Sequence, residues 1–247
     1  MAPKTFVLSE YGVEGQFAAN YLGHFLFTNL LLRGEGLIGD GGLVLNVGSL
    51  GYQMADIDFE DVNFSVSLPS YCPFHPSNNI SKIRTWLVYL DLKYLTNLTQ
   101  NPQNSTSYNG WKAYGQSKSA QLLGTRGLAN RVKDKNITVL IAHPGVTLES
   151  SLLANSGIDQ EYFGEAYVLA VERNGGNPLP PQVMVSIEQA AGVVLYTALN
   201  PELRGKHGSF IVENQIYGLT RGYADNDVDA DRLWGLSERL VGERFVV

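Results

Sequence analysis

Apolar residues recur at helical and strand spacings along the chain. Between 14 and 33, Phe17, Tyr21 and Phe25 are followed one turn on by Thr28-Asn29-Leu30, with no proline. That pattern predicts a long helix buried over most of its surface, stopped by Gly34 and Gly36. Gly42-Leu-Val-Leu-Asn-Val-Gly48 is a short apolar run, rich in β-branched residues and bounded by glycines. It reads as a strand buried on both faces, with Ser49 at its carboxyl end. A second helix is expected over 113–133 and a second buried strand over 137–142, ending at His143-Pro144-Gly145. Ser186 and Gln189 have capping-box spacing for a helix through Leu199, which Pro201 ends. A third strand over 208–213 and an amphipathic helix over 229–241 follow. Helices alternating with doubly apolar strands indicate an α/β fold, a mostly parallel sheet with helices on both faces. Ligands then sit beyond the carboxyl ends of the strands, where Ser49 and Pro144-Gly145 fall. The glycine- and proline-bearing stretch 151–185 is a loop or helical flap near those ends.

Composition narrows the function. The chain has 247 residues, 44% of them apolar and 17% charged, so one domain can bury a sizeable core. A net charge of −6 without any basic run argues against nucleic acid as a partner. The single cysteine, Cys72, cannot form an internal disulfide, and four scattered histidines lack metal-ligand spacing, so no metal site is expected. The first residues do not read as a secretory signal, and the most apolar window, 21–32, is too interrupted to span a bilayer. A cytoplasmic protein without a membrane span is expected.

Tyr114-Gly-Gln-Ser-Lys118 places a phenol and an ammonium on one face of a helix, about one turn apart. A lysine beside a tyrosine stabilises the phenolate and brings the phenol towards proton transfer near neutral pH. Ser49, at a strand end, could hydrogen-bond the oxygen being protonated. A solvated helix also produces Tyr-x-x-x-Lys by chance, so the spacing alone decides nothing.

The stretches 17–26 (with Asn20 and Gly23), Leu45-Asn-Val-Gly-Ser49, Tyr114-Gly-Gln-Ser-Lys118 and His143-Pro144-Gly145 occur in this order. Together they resemble the short-chain dehydrogenase/reductase family, in particular its retinol-dehydrogenase-like and WW-domain oxidoreductase-like branch and their fungal relatives. The resemblance implies a Rossmann-like sheet and interconversion of a carbonyl and an alcohol with NADP, or NAD, as cofactor. It makes Tyr114 the general acid/base, and has Lys118 lower its pKa while holding the nicotinamide ribose. It also has Ser49 orient the substrate oxygen and Asn20 hold a water that relays protons to Lys118. Val146 and Thr147, after Pro144-Gly145, would meet the nicotinamide. Asn20 and His24 could equally serve helix packing, and Pro144-Gly145 could be only a turn. The substrate would be a small apolar carbonyl or alcohol, since Tyr162, Phe163 and Tyr167 lie in the flap, although these rings could instead be core. Homo-oligomer formation and a place in secondary metabolism are further implications of the branch.

Three departures qualify this picture. Gly48 stands where many relatives carry a second serine. Nothing before Met1 supplies the strand, glycine-rich turn and helix that hold the dinucleotide pyrophosphate in this family. The expectation is therefore a truncated Rossmann-like sheet whose strand at 42–48 presents an open edge, with little or no activity. Gly34-Glu-Gly36-Leu-Ile-Gly39 matches G-x-G-x-x-G formally, but it follows a helix and precedes a strand, the reverse of what phosphate binding needs. Finally, residues 66–103 interrupt the run from Ser49 to Tyr114. Val66-Ser67, Thr96-Asn97 and Gln103 can be encoded as splice donor (GTAAGT), branch site (ACTAAC) and acceptor (CAG). The segment is thus either a retained intron, the favoured reading, or a true substrate or interaction loop. An inactive family member that acts by subunit association is the competing function.

Overall fold

The computed structural model describes residues 1–33, 38–64, 108–147, 149, 158–180 and 184–247. The insert 66–103 and Gly34 to Leu37 of the glycine hexamer lie outside the described residues. The first helix, α1, runs through Gly15–Phe17, a π-helical turn Ala18–Leu22 and Gly23–Leu32. Glu14 caps it, its carboxylate accepting the Phe17 N–H at 2.8 Å. Phe17, Tyr21, Phe25 and Leu32 are buried as the spacing requires. Phe27 and Leu30, on the opposite side, are 61% and 46% exposed, so the helix buries one face and not most of its surface.

The sheet has the order β1 (Leu43–Val47), β2 (Thr138–His143), β3 (Phe210–Val212), β4 (Gln215–Ile216). The first three strands are parallel, with Leu45 opposite Leu140 and Ala142 opposite Ile211. β3 turns back into the antiparallel β4 through Glu213 and Asn214, both at positive φ. Every residue of central β2 is buried. Its Val139, Leu140 and Ile141 side chains each stabilise the fold by roughly 1.5–3 kcal/mol through burial. Among the described residues β1 pairs only with β2, so its outer edge has no partner among them. Its last residue, Val47, is 48% exposed, so this strand is not buried on both faces along its length.

Among the described residues four further α-helices follow: α2 (Gly110–Val132), α3 (Gln160–Arg173), α4 (Ile187–Leu199) and α5 (Asp227–Val241). On one face of the sheet, α1, α2 and α5 share a core with Val44 and Val139. On the other face, Val193 and Tyr196 of α4 pack near Leu43, Leu45, Leu140 and Ala142. The sheet is thus covered from both sides, an α/β arrangement with helices on each face. The Ser186/Gln189 capping box of α4 is present. α5 starts two residues before its expected position because Asn226, not a later residue, caps it, accepting the Asp229 N–H at 2.8 Å. The flap is helical over α3, capped by Asp159, which accepts the Tyr162 N–H at 2.7 Å. Tyr162 is a buried core ring, whereas Phe163 and Tyr167 are 37% and 52% exposed.

Candidate active site

Ser49 follows β1 and caps the 3-10 turn Leu50–Met54, its Oγ accepting the Gly51 N–H at 3.0 Å. A hydroxyl has one proton and two lone pairs, so this contact leaves the Ser49 O–H free to donate. It faces the Tyr114 phenol, whose pKa it acts to lower. Gly51 makes the approach feasible, since a Cβ there would lie 2.5 Å from Tyr114 Cε1. Gly48 has a packing reason too: its Cβ would fall 2.6 Å from Ile141 Cδ1, which leaves little room for a serine side chain.

The turn and α2 are bound side by side. Asn109 caps α2 by accepting from the N–H groups of Trp111 (3.0 Å) and Lys112 (2.9 Å). Ser119 Oγ donates to the Ala55 carbonyl at 2.5 Å, and Gln116 Oε1 accepts the Asp58 N–H at 2.9 Å. Trp111 Nε1 donates to the Tyr162 carbonyl at 2.7 Å, which docks α3 against the start of α2. The Trp111 ring meets those of Tyr114, Tyr162 and Phe163. An aromatic wall therefore stands beside the phenol.

Burial pushes the Tyr114 pKa above its ordinary value, and the neighbouring Ser49 hydroxyl opposes this only in part. Lys118 has the complementary shift: burial lowers it to about 8. Its Nζ lies 5.3 Å from the Tyr114 ring centroid and donates to Gln121 Oε1 at 2.8 Å. The expected lowering of the phenol pKa by Lys118 is thus not seen in this cofactor-free arrangement: the ammonium lies over the ring and is held by an amide. His143 ends β2 with its Nδ1 buried and unpartnered, its pKa lowered to about 4 by burial and by Lys118. It is neutral at physiological pH.

Asn20 sits in the π-helical turn and is joined to α2 at both polar ends. Its Nδ2 donates to Ser117 Oγ at 2.9 Å, and Ser117 Oγ donates to the Tyr114 carbonyl at 2.8 Å. Its main-chain carbonyl accepts Gln121 Nε2 at 2.7 Å and lies 2.9 Å from His24 Nδ1. His24 stays exposed and bonded to its own helix, in keeping with the packing reading.

Beyond β2, Gly145 has φ +98°, and a Cβ there would lie 2.6 Å from Val185 Cγ2, so only glycine suits the position. The Val146 carbonyl accepts the Val185 N–H at 2.9 Å, and Thr147 Oγ1 accepts the Glu149 N–H at 3.3 Å. Ser49, Tyr114, Lys118 and Asn20 are thus brought together. Val146 and Thr147 lie past the end of the neighbouring strand, with their hydrogen bonds directed to Val185 and Glu149. Sequence reasoning missed Gln121 and His143. Gln121 follows Lys118 by three positions, which puts it on the same helix face and was the available signal.

The chain as a whole is similar to a set of longer proteins. The chain is 29% identical over 238 residues to short-chain dehydrogenase TIC 32 B, chloroplastic, of Brassica napus, covering 96% of this chain and 59% of that protein. It is 27% identical over 239 residues to human retinol dehydrogenase 14, covering 96% and 55%. Human retinol dehydrogenase 13 is 28% identical over 234 residues, covering 95% and 56%. These relatives are short-chain dehydrogenases and retinol dehydrogenases, which supports the short-chain dehydrogenase/reductase family for this chain. No protein-family model matches the sequence. The crystal structure of an uncharacterized protein from Mycobacterium paratuberculosis has the same fold, with TM-score 0.54 and 24% identity, covering 100% of this chain and 65% of that one. The chain spans between about a half and three fifths of the length of the curated relatives named above. Among the described residues no helix is long and apolar enough to cross a membrane, and no cluster of His, Cys, Asp or Glu could hold a metal ion.

Proposed function

We propose that the protein interconverts an apolar carbonyl compound and its alcohol with a nicotinamide dinucleotide, NADP(H) in preference to NAD(H). The observation that carries this reading is the Tyr114 phenol beside the Ser49 hydroxyl at the carboxyl end of the parallel sheet, with the Lys118 ammonium over the same ring. A bound nicotinamide supplies or accepts the hydride. Tyr114 gives its phenolic proton to the oxygen of the carbonyl as that carbon is reduced, and takes it back in the reverse direction. Ser49 holds the same oxygen through its O–H. Lys118 keeps donor capacity beyond its bond to Gln121 for a ribose hydroxyl, and stabilises the phenolate that forms. The unpartnered His143 Nδ1 near Lys118 and the side-chain-free backbone at Gly145 suit the nicotinamide–ribose end of the cofactor. Among the described residues no strand runs through a glycine-rich turn directly into an α-helix, so the phosphates have no comparable cradle. The preference for NADP and a role in secondary metabolism rest on the branch resembled. The wall of Trp111, Tyr162 and Phe163 supports an apolar substrate.

A second reading is association without catalysis. It is favoured by the open β1 edge and by exposed Ile187, Leu195 and Leu199 on α4, at 47%, 57% and 74%. Calorimetric titration of the chain with NADPH and NADH, alongside sedimentation, separates the two. Binding of NADPH tighter than NADH is the expected result. A folded assembly that binds neither would favour association.

A further inference from the structure

The two polar atoms of the Gln121 side chain bridge two elements of the site. Oε1 takes a proton from Lys118 Nζ at 2.8 Å, and Nε2 gives one to the Asn20 carbonyl at 2.7 Å. The carbonyl belongs to the π-helical turn Ala18–Leu22, where the Gly23 N–H reaches back to Ala18. That shift in hydrogen bonding re-aims main-chain carbonyls, and π-turns of this kind gather at functional sites. Gln121 is itself buried, so an amide left without either partner would be costly. Its orientation is fixed by this geometry, because only the oxygen can accept from an ammonium and only the nitrogen can donate to a carbonyl.

We propose that Gln121 is the positioning residue of the site, a bridge that fixes the Lys118 ammonium against α1 through the Asn20 carbonyl and so sets both its place and its charge. The proposal rests on the catalytic reading for its purpose, but the bridge itself does not depend on turnover. The titratable groups facing Lys118 are the Tyr114 phenol on its own helix, His143 on β2 and the Met1 α-amino group, whose pKa burial and Lys118 both lower. None is a carboxylate. Near neutral pH the phenol and the imidazole are uncharged, so the acceptor that retains the ammonium is the Gln121 amide.

The test is the titration of the Lys118 Nζ by lysine-selective ¹⁵N NMR in the cofactor-free full chain, assigned with Lys118→Met. Wild type should titrate at about pH 8. Gln121→Leu removes the acceptor and should lower that midpoint by about one unit. Gln121→Glu replaces it with a carboxylate and should raise the midpoint above the wild-type value. Opposite shifts at one position cannot come from a packing defect, which would move both variants the same way. Identical midpoints in all three proteins, or shifts of the same sign, would overturn the bridge. If the opposite shifts appear in a chain that turns over no carbonyl, the bridge stands and the catalytic reading falls.

Discussion

Tyr114→Phe is expected to lower kcat for carbonyl reduction about 100- to 10,000-fold, the range typical of a lost general acid. The ring remains against Trp111 and Gly51, so the fold should survive with little loss of stability. Cofactor affinity should stay within a few-fold of wild type. The pH profile carries the same logic. Burial holds the Tyr114 pKa above its ordinary value, so the phenol is protonated throughout the neutral range and ready to donate. Lys118, lowered to about 8, loses its charge first as pH rises. The kcat/KM for reduction, which reports the free protein, should therefore be level below pH 8 and begin to fall above it, with Tyr114 ionising later. Retention of turnover by Tyr114→Phe, measured in steady state, would remove the phenol from the mechanism.

Gly115→Ala is expected to have a large structural effect on the site. In an isolated helix this change is favourable by about 1 kcal/mol. Here the new Cβ would sit 2.6 Å from the Ala55 nitrogen and 3.0 Å from the Met54 carbonyl carbon, both backbone atoms that cannot swing aside. α2 and the 50–54 turn must move apart, which costs about 1–3 kcal/mol and outweighs the helix propensity. The same movement pulls Tyr114 away from Ser49, and it strains the Ser119–Ala55 hydrogen bond of 2.5 Å. Thermal denaturation should show a lowered midpoint, and turnover should fall even below that midpoint. A variant as stable and as active as wild type would mean that the turn is free to shift, contrary to the packing described.

Much of this site was legible because its parts are local. β1 is a glycine-bounded apolar run, β2 an apolar run ended by Pro144-Gly145, and Tyr114 and Lys118 need only a helix to share a face. The Ser186/Gln189 box is a spacing of three and is found as spaced. What was not legible depends on residues far apart in sequence. The Gln121 bridge spans 101 positions to Asn20, and the π-helical turn shows no signal in the hydrophobic period. Burial of the Tyr114 phenol arises from Gly51, Trp111 and the docking of α3, so the rise in its pKa could not be read from Tyr-x-x-x-Lys. The β3–β4 hairpin hid in Glu213-Asn214, where asparagine alone hinted at a positive φ. The exposed side of α1 was missed because Phe27 and Leu30 are apolar yet face outward.

The most direct test of the catalytic reading is hydride transfer itself, followed with an aromatic aldehyde and NADPH deuterated on its nicotinamide ring. The expected product is the alcohol carrying one deuterium per molecule at the former carbonyl carbon, formed by wild type and nearly abolished in Tyr114→Phe. A folded chain that binds the dinucleotide yet leaves the aldehyde unlabelled and unreduced across the neutral and alkaline range would contradict it.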